Sequence, residues 1–357
     1  MRILLVRLRQ IGDVVFTTPA IAALRRRFPN AHLTYIVEPA AAAVVSHNPH
    51  LDEIVVAPRA TGFKGLLHDL GLCRRLRQSR YDVAIDFHGG PRASLLTWLS
   101  GAPTRIGYQV IGRSWMYTHR VERPRRLRPR HSVTNQWDLL APLDISLPDR
   151  TACPVEMRVD PAAAASVATR LAAAGVSPAD RLVVVHVSAG NPFRRWPHDH
   201  FVTLVAALAL DTPDTRVIVT AGPSERDAGR KVIASARAAL GESAARVVSC
   251  GEFSLAELRA LVDRAALFIG GDSGPLHIAA TSAVPIVALF GPTLALRSAP
   301  WRDERWTTIA VDAGELPCRP CDQRRCAPGD FRCLTSIAPA AVFDAATRAL
   351  RAMEKLP

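Results

Sequence analysis

Ala265-Ala266-Leu267-Phe268-Ile269-Gly270-Gly271-Asp272-Ser273-Gly274-Pro275-Leu276-His277-Ile278-Ala279-Ala280 reads as a strand, a turn and a helix in succession. The apolar run Ala265 to Ile269 has the length of a buried strand. Gly270 and Gly271 are expected to break it, and Ser273 is placed to N-cap a helix carrying His277, Ile278 and Ala280. A helix N-terminus presents free N–H groups and the positive end of a dipole. A turn there that holds an acid, small residues and a histidine therefore suits the phosphates of a nucleotide. Glycine turns before helices are common in α/β proteins, so a purely structural role for the turn remains open at this point.

Outward from this turn the same alternation repeats. Leu182 to Val187, Arg216 to Thr220 and Pro285 to Leu289 are strand-like, with helical stretches at His198 to Leu210, Ser224 to Ala239 and Leu255 to Ala265. In the first half, strand-like Arg2 to Val6, His32 to Val37, Ile54 to Ala57 and Asp82 to Phe87 alternate with helical Ala20 to Arg27, Lys64 to Gln78 and Arg92 to Leu99. Such alternation implies parallel sheets with helices on both faces, here two of them. The expected fold is α/β with two parallel sheets that put a cleft between them, and ligands at the carboxyl ends of the strands. The Pro- and Asp-rich stretch Asp144 to Pro161 marks the boundary, giving domains 1–155 and 156–357, with the last helix expected to pack back on the first.

At 357 residues the chain is long enough for two cores. Its longest apolar stretches, such as Phe201 to Leu210, fall well short of the roughly 20 residues that span a bilayer, and the N-terminus lacks a full apolar signal region. A soluble, cytoplasmic protein is expected. Lys and Arg number 45 against 32 Asp and Glu, a formal net charge of +13. This favours an anionic partner such as nucleic acid, a phosphorylated sugar or an acidic membrane surface, unless the arginines only reflect a GC-rich genome. Residues 120–131 hold six arginines against one glutamate, and Pro124 and Pro129 prevent a regular helix there. That loop can dock phosphate, carboxylate or lipid headgroups, or stand as a solvated face. No aromatic-interleaved basic surface accompanies it, which disfavours nucleic acid.

After the first strand the chain reads Arg7-Leu8-Arg9-Gln10-Ile11-Gly12-Asp13, then Val14-Val15-Phe16-Thr17-Thr18-Pro19-Ala20. Gly12 stands alone where a dinucleotide fingerprint needs three glycines, and no Walker glycine-lysine pair occurs. Asp13 is placed at the strand's carboxyl end, either as a helix-capping acid or as a functional carboxylate. With Arg7 and Arg9 beside it, the turn can bind an anionic acceptor and deprotonate its hydroxyl.

These two segments, together with Asn191-Pro-Phe-Arg-Arg-Trp-Pro197, Ala221-Gly-Pro-Ser-Glu225 and Phe290-Gly-Pro-Thr293, resemble glycosyltransferase family 9, the bacterial ADP-heptose heptosyltransferases of lipopolysaccharide core assembly. The resemblance spans almost the whole chain and implies the GT-B fold, two Rossmann-like domains facing each other across a cleft, with the acceptor on the N-terminal domain and the nucleotide-sugar on the C-terminal one. By the same resemblance Asp13 is the catalytic base, and Arg7, Arg9 and Gly12 lie on the acceptor side. Arg194 stands where the family has the lysine of its K-x-W-P motif, a donor-phosphate ligand, and keeps the charge while adding a bidentate fork. Ser188 falls where relatives carry a hydroxyl near the phosphates, and Glu225 where an acid contacts the nucleoside. Asp272 would hold heptose hydroxyls, while Ser273, Gly274 and His277 line the diphosphate.

No Asp-x-Asp pair occurs, so the usual divalent-metal clamp on a diphosphate has no obvious ligand set and no cofactor is expected for catalysis. The implied reaction is an inverting transfer from ADP-L-glycero-D-manno-heptose to a lipopolysaccharide-core or Kdo-lipid A type acceptor, at the inner face of the inner membrane. The opening Arg7 to Asp13 and Leu96-Thr-Trp-Leu-Ser-Gly101 look closest to heptosyltransferase III-like members. A protein-directed (autotransporter) heptosyltransferase is the second reading, and a non-enzymatic anion or nucleic-acid binding protein the third. Cys318, Cys321, Cys326 and Cys333 form C-x2-C-x4-C-x6-C, which leaves a closed structural metal site and reduced thiols as alternatives.

Overall fold

The computed structural model of the chain describes residues 1–59, 62–123 and 130–353. It divides into two units, Met1–Arg158 and Val159–Pro357. In the first, β1 (Arg2–Val6), β2 (His32–Val37), β3 (Glu53–Val56), β4 (Val83–Asp86), β5 (Thr104–Tyr108) and β6 (His119–Val121) form one parallel sheet in the order β3-β2-β1-β4-β5-β6. The second holds β7 (Arg181–His186), β8 (Thr215–Thr220), β9 (Val247–Val248), β10 (Leu267–Gly271), β11 (Ile286–Phe290) and β12 (Thr308–Asp312) in the order β12-β11-β10-β7-β8-β9. Counted from its own first strand, each sheet has the same doubly wound order, which reverses direction beside that strand. The reversal falls between β1 and β4 in the first unit and between β7 and β10 in the second.

The central strands form because their apolar runs are buried on both faces. Ile3, Leu4, Leu5 and Val6 are all inaccessible to solvent, with Ile3 opposite Leu33 on one side and Val83 on the other. In the second sheet Val183, Val185, Leu267, Ile269, Val287 and Leu289 share one core with Leu204, Leu208, Val232 and Ala236. Alternate residues Val184, Phe268, Ile286 and Ala288 are buried as well, so helices cover the other face too. The helix Leu255–Arg264 starts at a capping box: Glu257 N donates to Ser254 Oγ at 3.2 Å, and Ser254 N to Glu257 Oε2 at 2.8 Å. The last helix, Pro339–Met353, was expected to pack back on the first unit. It places Val342, Ala345, Ala346 and Ala349 in the second unit's core.

Two details of the opening stretch differ from expectation. Gly270 and Gly271 do not end the strand but continue it, Gly270 opposite His186 and Ala288 and Gly271 opposite Leu289. Their role is close approach: a Cβ on Gly270 would lie 3.0 Å from the Phe268 ring, and one on Gly271 3.4 Å from the carbonyl oxygen of Arg194. Ser273 does sit at the N-cap of the helix Gly274–Ala279, in extended conformation, but its hydroxyl makes no capping hydrogen bond. In the basic stretch, Arg120 belongs to β6, Arg130 pairs with Asp138, and residues 124–129 lie outside the described residues.

Gly291, directly after β11, is required by packing. A Cβ there would sit 2.5 Å from Leu334 Cγ and 2.7 Å from its Cδ2, and Leu334 is buried. Gly291→Ala is therefore expected to destabilise the second unit by about 1–3 kcal/mol through overpacking. Gly71→Ala, on a helix where the added methyl meets nothing within 4 Å, should stabilise by about 0.5–1 kcal/mol. Denaturant midpoints of the two variants, moving in opposite directions, check this.

Candidate active site

In the first unit the chain leaves β1 at Arg7, whose side chain is only 11% exposed. One guanidinium nitrogen donates to the carbonyl oxygen of Phe87, just past β4, and another pairs with the Asp13 carboxylate. Asp13 lies in the short helix Ile11–Val15 and does not cap it; its side chain is 36% exposed, so a ligand can reach it. Its carbonyl oxygen accepts from Gln136 Nε2 at 3.3 Å. The strand order thus brings a positioned carboxylate and its arginine to the switch point.

Asp86, His88 and Arg113 lie there too and were not singled out from the sequence. Asp86, fully buried at the end of β4, accepts from the N–H groups of His88 and Gly89, each at 2.8 Å, and from the Tyr117 hydroxyl at 2.6 Å. Burial raises its pKa, and those hydrogen bonds oppose the rise. His88 is pushed down to about 4 by burial and then by the Arg7 and Arg9 charges, so it is neutral at pH 7. Arg113 donates to the Gly89 carbonyl at 3.3 Å, and Arg123 lies over the Tyr108 ring. Positive charge from Arg7, Arg9 and Arg123 therefore surrounds the turn after β4, as an anionic ligand requires. The signal that could have found these residues was the repeated pattern of strand, His88-Gly-Gly90 turn and Pro91 helix start.

In the second unit, consecutive arginines fork to two clusters. Arg194, in the turn Pro192–Arg194, donates through Nη1 to the Asp272 carbonyl at 3.0 Å and pairs with Asp272 Oδ2 at 3.2 Å. Asp272 is buried at the end of β10; its Oδ2 also accepts from the Thr293 hydroxyl at 2.6 Å, and His277 Nε2 lies 3.5 Å from its Oδ1. Burial alone would raise its pKa, but the His277 contact, the Arg194 charge and the Thr293 hydroxyl outweigh burial and hold it at about 2. Arg195 donates to the Ala189 carbonyl at 2.9 Å and pairs with Glu225. Ser188 Oγ joins that side, accepting from Gly222 N at 2.8 Å and lying 2.9 Å from His186 Nε2. Ser188, Arg194, Glu225, Asp272 and His277 are thus drawn together around the end of this sheet, with Ser273 and Gly274 next along the chain. The Ser273 hydroxyl is buried with no hydrogen-bond partner among the described residues, an acceptor and donor left for a ligand. Trp196 anchors the turn, donating from Nε1 to the Ile337 carbonyl at 3.0 Å. Arg195, Thr293 and His186 were not expected from the sequence.

His186 gives a pH signature. Its imidazole is buried between Thr220 Oγ1 and Ser188 Oγ, each 2.9 Å away, and burial pushes it down to about 4. Because the folded-state pKa lies below the ordinary value of about 6.5, the unfolded chain binds the proton first on acidification. The stabilising effect of a neutral His186 is present above about pH 6.5 and is lost as pH falls toward 4, by roughly 3 kcal/mol in all. Denaturant midpoints between pH 7 and pH 4.5 should fall less steeply for His186→Gln than for the native chain.

The four clustered cysteines line one cavity of about 220 Å³ together with Phe193 and Phe331. Among the described residues no three His, Cys, Asp or Glu side chains gather at metal-ligating spacing. Burial and then the neighbouring Cys318 and Cys321 thiols push Cys333 up to about 11, which favours its protonated form. As placed, the thiols do not form a closed tetrahedral site, and all are free.

Two doubly wound sheets, each gathering charged side chains at its switch point, define a two-unit α/β protein of the doubly wound class. The family model of glycosyltransferase family 9 (heptosyltransferase) matches residues 70–329, and the chain belongs to that family of enzymes. It is 28% identical to lipopolysaccharide heptosyltransferase 3 of Escherichia coli, over 88% of this chain and 89% of that protein. Among solved structures, the glycosyl transferase family 9 protein of Veillonella parvula superposes with a TM-score of 0.82 at 22% identity, covering 98% of this chain and 97% of that one. The E. coli ADP-heptose lps heptosyltransferase II gives 0.78 at 19% identity, over 99% and 100%. The fold is the GT-B fold of these glycosyltransferases, as the motifs implied.

Proposed function

We propose that this chain is an inverting glycosyltransferase that moves heptose from ADP-L-glycero-D-manno-heptose to the lipopolysaccharide inner core, of the heptosyltransferase III-like kind. The observation that carries this reading is the likeness to lipopolysaccharide heptosyltransferase 3 along 88% of the chain. The proposed roles are those the family resemblance implies. Asp13 accepts the proton of an acceptor hydroxyl as its oxygen attacks the anomeric carbon; the bond from that carbon to the diphosphate oxygen breaks, and ADP departs with the electron pair. Arg194 and the N–H groups at Ser273 and Gly274 meet the charge that develops on the leaving group. Ser188 and His277 border the diphosphate, and Glu225 takes the nucleoside. Asp272 retains acceptor capacity for sugar hydroxyls beyond its bonds to Thr293 and Arg194, since a carboxylate has about four lone-pair directions. Arg7, Arg9 and Gly12, with the positive charge around His88, hold an acceptor bearing phosphate or carboxylate.

No cofactor enters the proposed step. The chain would work in the cytoplasm, at the inner face of the inner membrane; support comes from its +13 charge, and among the described residues no helix is long and apolar enough to cross a membrane. Calorimetric titration should show tighter binding of ADP-heptose than of other nucleotide-sugars, and sugar label should enter a Kdo-lipid A type acceptor at an unchanged rate after chelation. Label in polypeptide instead would favour the protein-directed reading. Strict metal dependence would overturn the metal-free step, and salt-sensitive DNA binding without ADP release would overturn the enzyme reading.

A further inference from the structure

The cysteine-rich segment lies against both residues that approach Asp272 Oδ2. Gln323 Oε1 accepts from Arg194 Nε at 2.8 Å and from Asn191 Nδ2 at 2.7 Å. Arg319 donates to the Thr293 carbonyl at 3.0 Å, and Cys321 N to the Pro292 carbonyl at 3.1 Å. Arg194 and Thr293 are the two donors on Asp272 Oδ2, so one segment fixes both. The Phe193 and Phe331 rings, 5.4 Å apart, add a second contact between this segment and the Arg194 turn.

Gln323 itself stands in an unusual backbone state. Its φ is +59°, a left-handed conformation that costs a non-glycine residue roughly 1–2 kcal/mol. Its N–H points to Cys321 Sγ at 3.3 Å. A glycine would relieve the backbone but would remove the amide that reaches Arg194 and Asn191. Strain retained at a residue with two side-chain bonds to a ligand-binding turn points to a functional constraint. The chemistry of the amide is also apt: its oxygen takes both donors without adding negative charge beside a diphosphate.

We propose that Gln323 is a positioning residue for the donor diphosphate. By holding Arg194 Nε, it sets the plane of the guanidinium so that Nη1 meets Asp272 and the Nη2 edge is presented to the phosphates. The inference rests on the assignment of Arg194 as a donor-phosphate ligand. It gives the cysteine-rich segment a role in the transferase site that requires no metal.

The test is calorimetric binding of ADP to the full chain, with a double-mutant cycle. Native protein should bind ADP; if it does not, the donor-site reading itself fails and the cycle has nothing to resolve. Given binding, Gln323→Ala and the near-isosteric Gln323→Met should each weaken ADP roughly 10- to 150-fold, the loss expected for one hydrogen bond to a charged group. Gln323→Glu keeps an acceptor for Arg194 but adds charge, so ADP should weaken with the ion-pair geometry retained and the loss should shrink at high salt. In the Arg194→Lys background, which lacks the Nε donor, Gln323→Met should have no further effect. Unchanged ADP affinity in folded Gln323→Met, or losses that multiply fully in the Arg194→Lys background, would overturn the proposal. If Gln323→Ala fails to fold, the Met and Glu variants decide.

Discussion

Asp13→Asn lowers turnover by about 10²- to 10⁴-fold and leaves the affinity for the nucleotide-sugar within a factor of a few. Asparagine keeps the shape and an oxygen for Arg7, but cannot take up a proton from the attacking hydroxyl, and a positioned general base is worth that range. The stability effect should be small. The Arg7–Asp13 pair has a carboxylate that is 36% exposed, and pairs of that kind contribute about 1 kcal/mol or less. The observed ion pair and the proposed base role of Asp13 therefore separate cleanly: a large kinetic loss in a protein whose unfolding midpoint hardly moves. Steady-state ADP release with saturating donor, alongside a denaturant melt, measures both. Near-native turnover in folded Asp13→Asn would remove Asp13 from the chemistry and leave it as an anchor for Arg7.

Arg194→Ala should lower turnover about 10²- to 10³-fold, the usual loss when one preorganised donor to a developing negative charge is removed. Here stability should move as well, because Asp272 is almost completely buried and Arg194 is one of its few partners. Thr293 and His277 remain, so the loss is expected to be about 1–3 kcal/mol. The Asp272 pKa, now near 2, should rise when the Arg194 charge goes. Because that pKa lies below the ordinary carboxylate value, the ionised Asp272 stabilises the fold above about pH 4, and that contribution fades as pH drops toward 2. The variant should show a smaller fraction of this acid sensitivity. Arg194→Lys restores charge but not the fork, and should recover part of the turnover. If Arg194→Ala melted earlier yet turned over normally in its folded fraction, the arginine would serve Asp272 alone.

The fold was legible where strands are buried on both faces. β1, β2, β4, β7, β8, β10 and β11 each hold a run of buried, mostly aliphatic residues, such as Ile3 to Val6 or Leu182 to Val185, and a run of that kind bounded by polar turns has few other readings. β5, β6, β9 and β12 were missed for a physical reason. β6 and β12 lie at sheet edges, with partly exposed residues such as His119, Arg120, Ala310 and Asp312, and β9 has only two residues. β5 reads Thr-Arg-Ile-Gly-Tyr, and its Gly107 is there because the Tyr117 ring occupies the space a Cβ would need. Gly270 and Gly271 misled in the same way: glycine was read as a turn where it marks close packing within a strand.

The candidate site was legible where one short segment carries it. Asp13 with Arg7, and Asp272 with His277, lie within a few residues of each other, so one turn suffices to bring them together. Arg195 to Glu225, Thr293 to Asp272 and Gln323 to Arg194 are joined only by the strand order and by where long side chains reach. No period or motif in a single sequence encodes such a meeting.

The position of both polar clusters at the reversal of strand order bears on how the chain comes off the ribosome. Arg194 and Asp272 are 78 residues apart, and Arg7 meets Phe87 across 80. Neither contact can form until the intervening strands and helices have been synthesised and have collapsed around them, and closing loops of that length makes such contacts late events. A nascent or prematurely ended chain would thus hold a well-packed half-sheet and no competent centre, so transferase chemistry would begin only in chains whose folding is essentially complete.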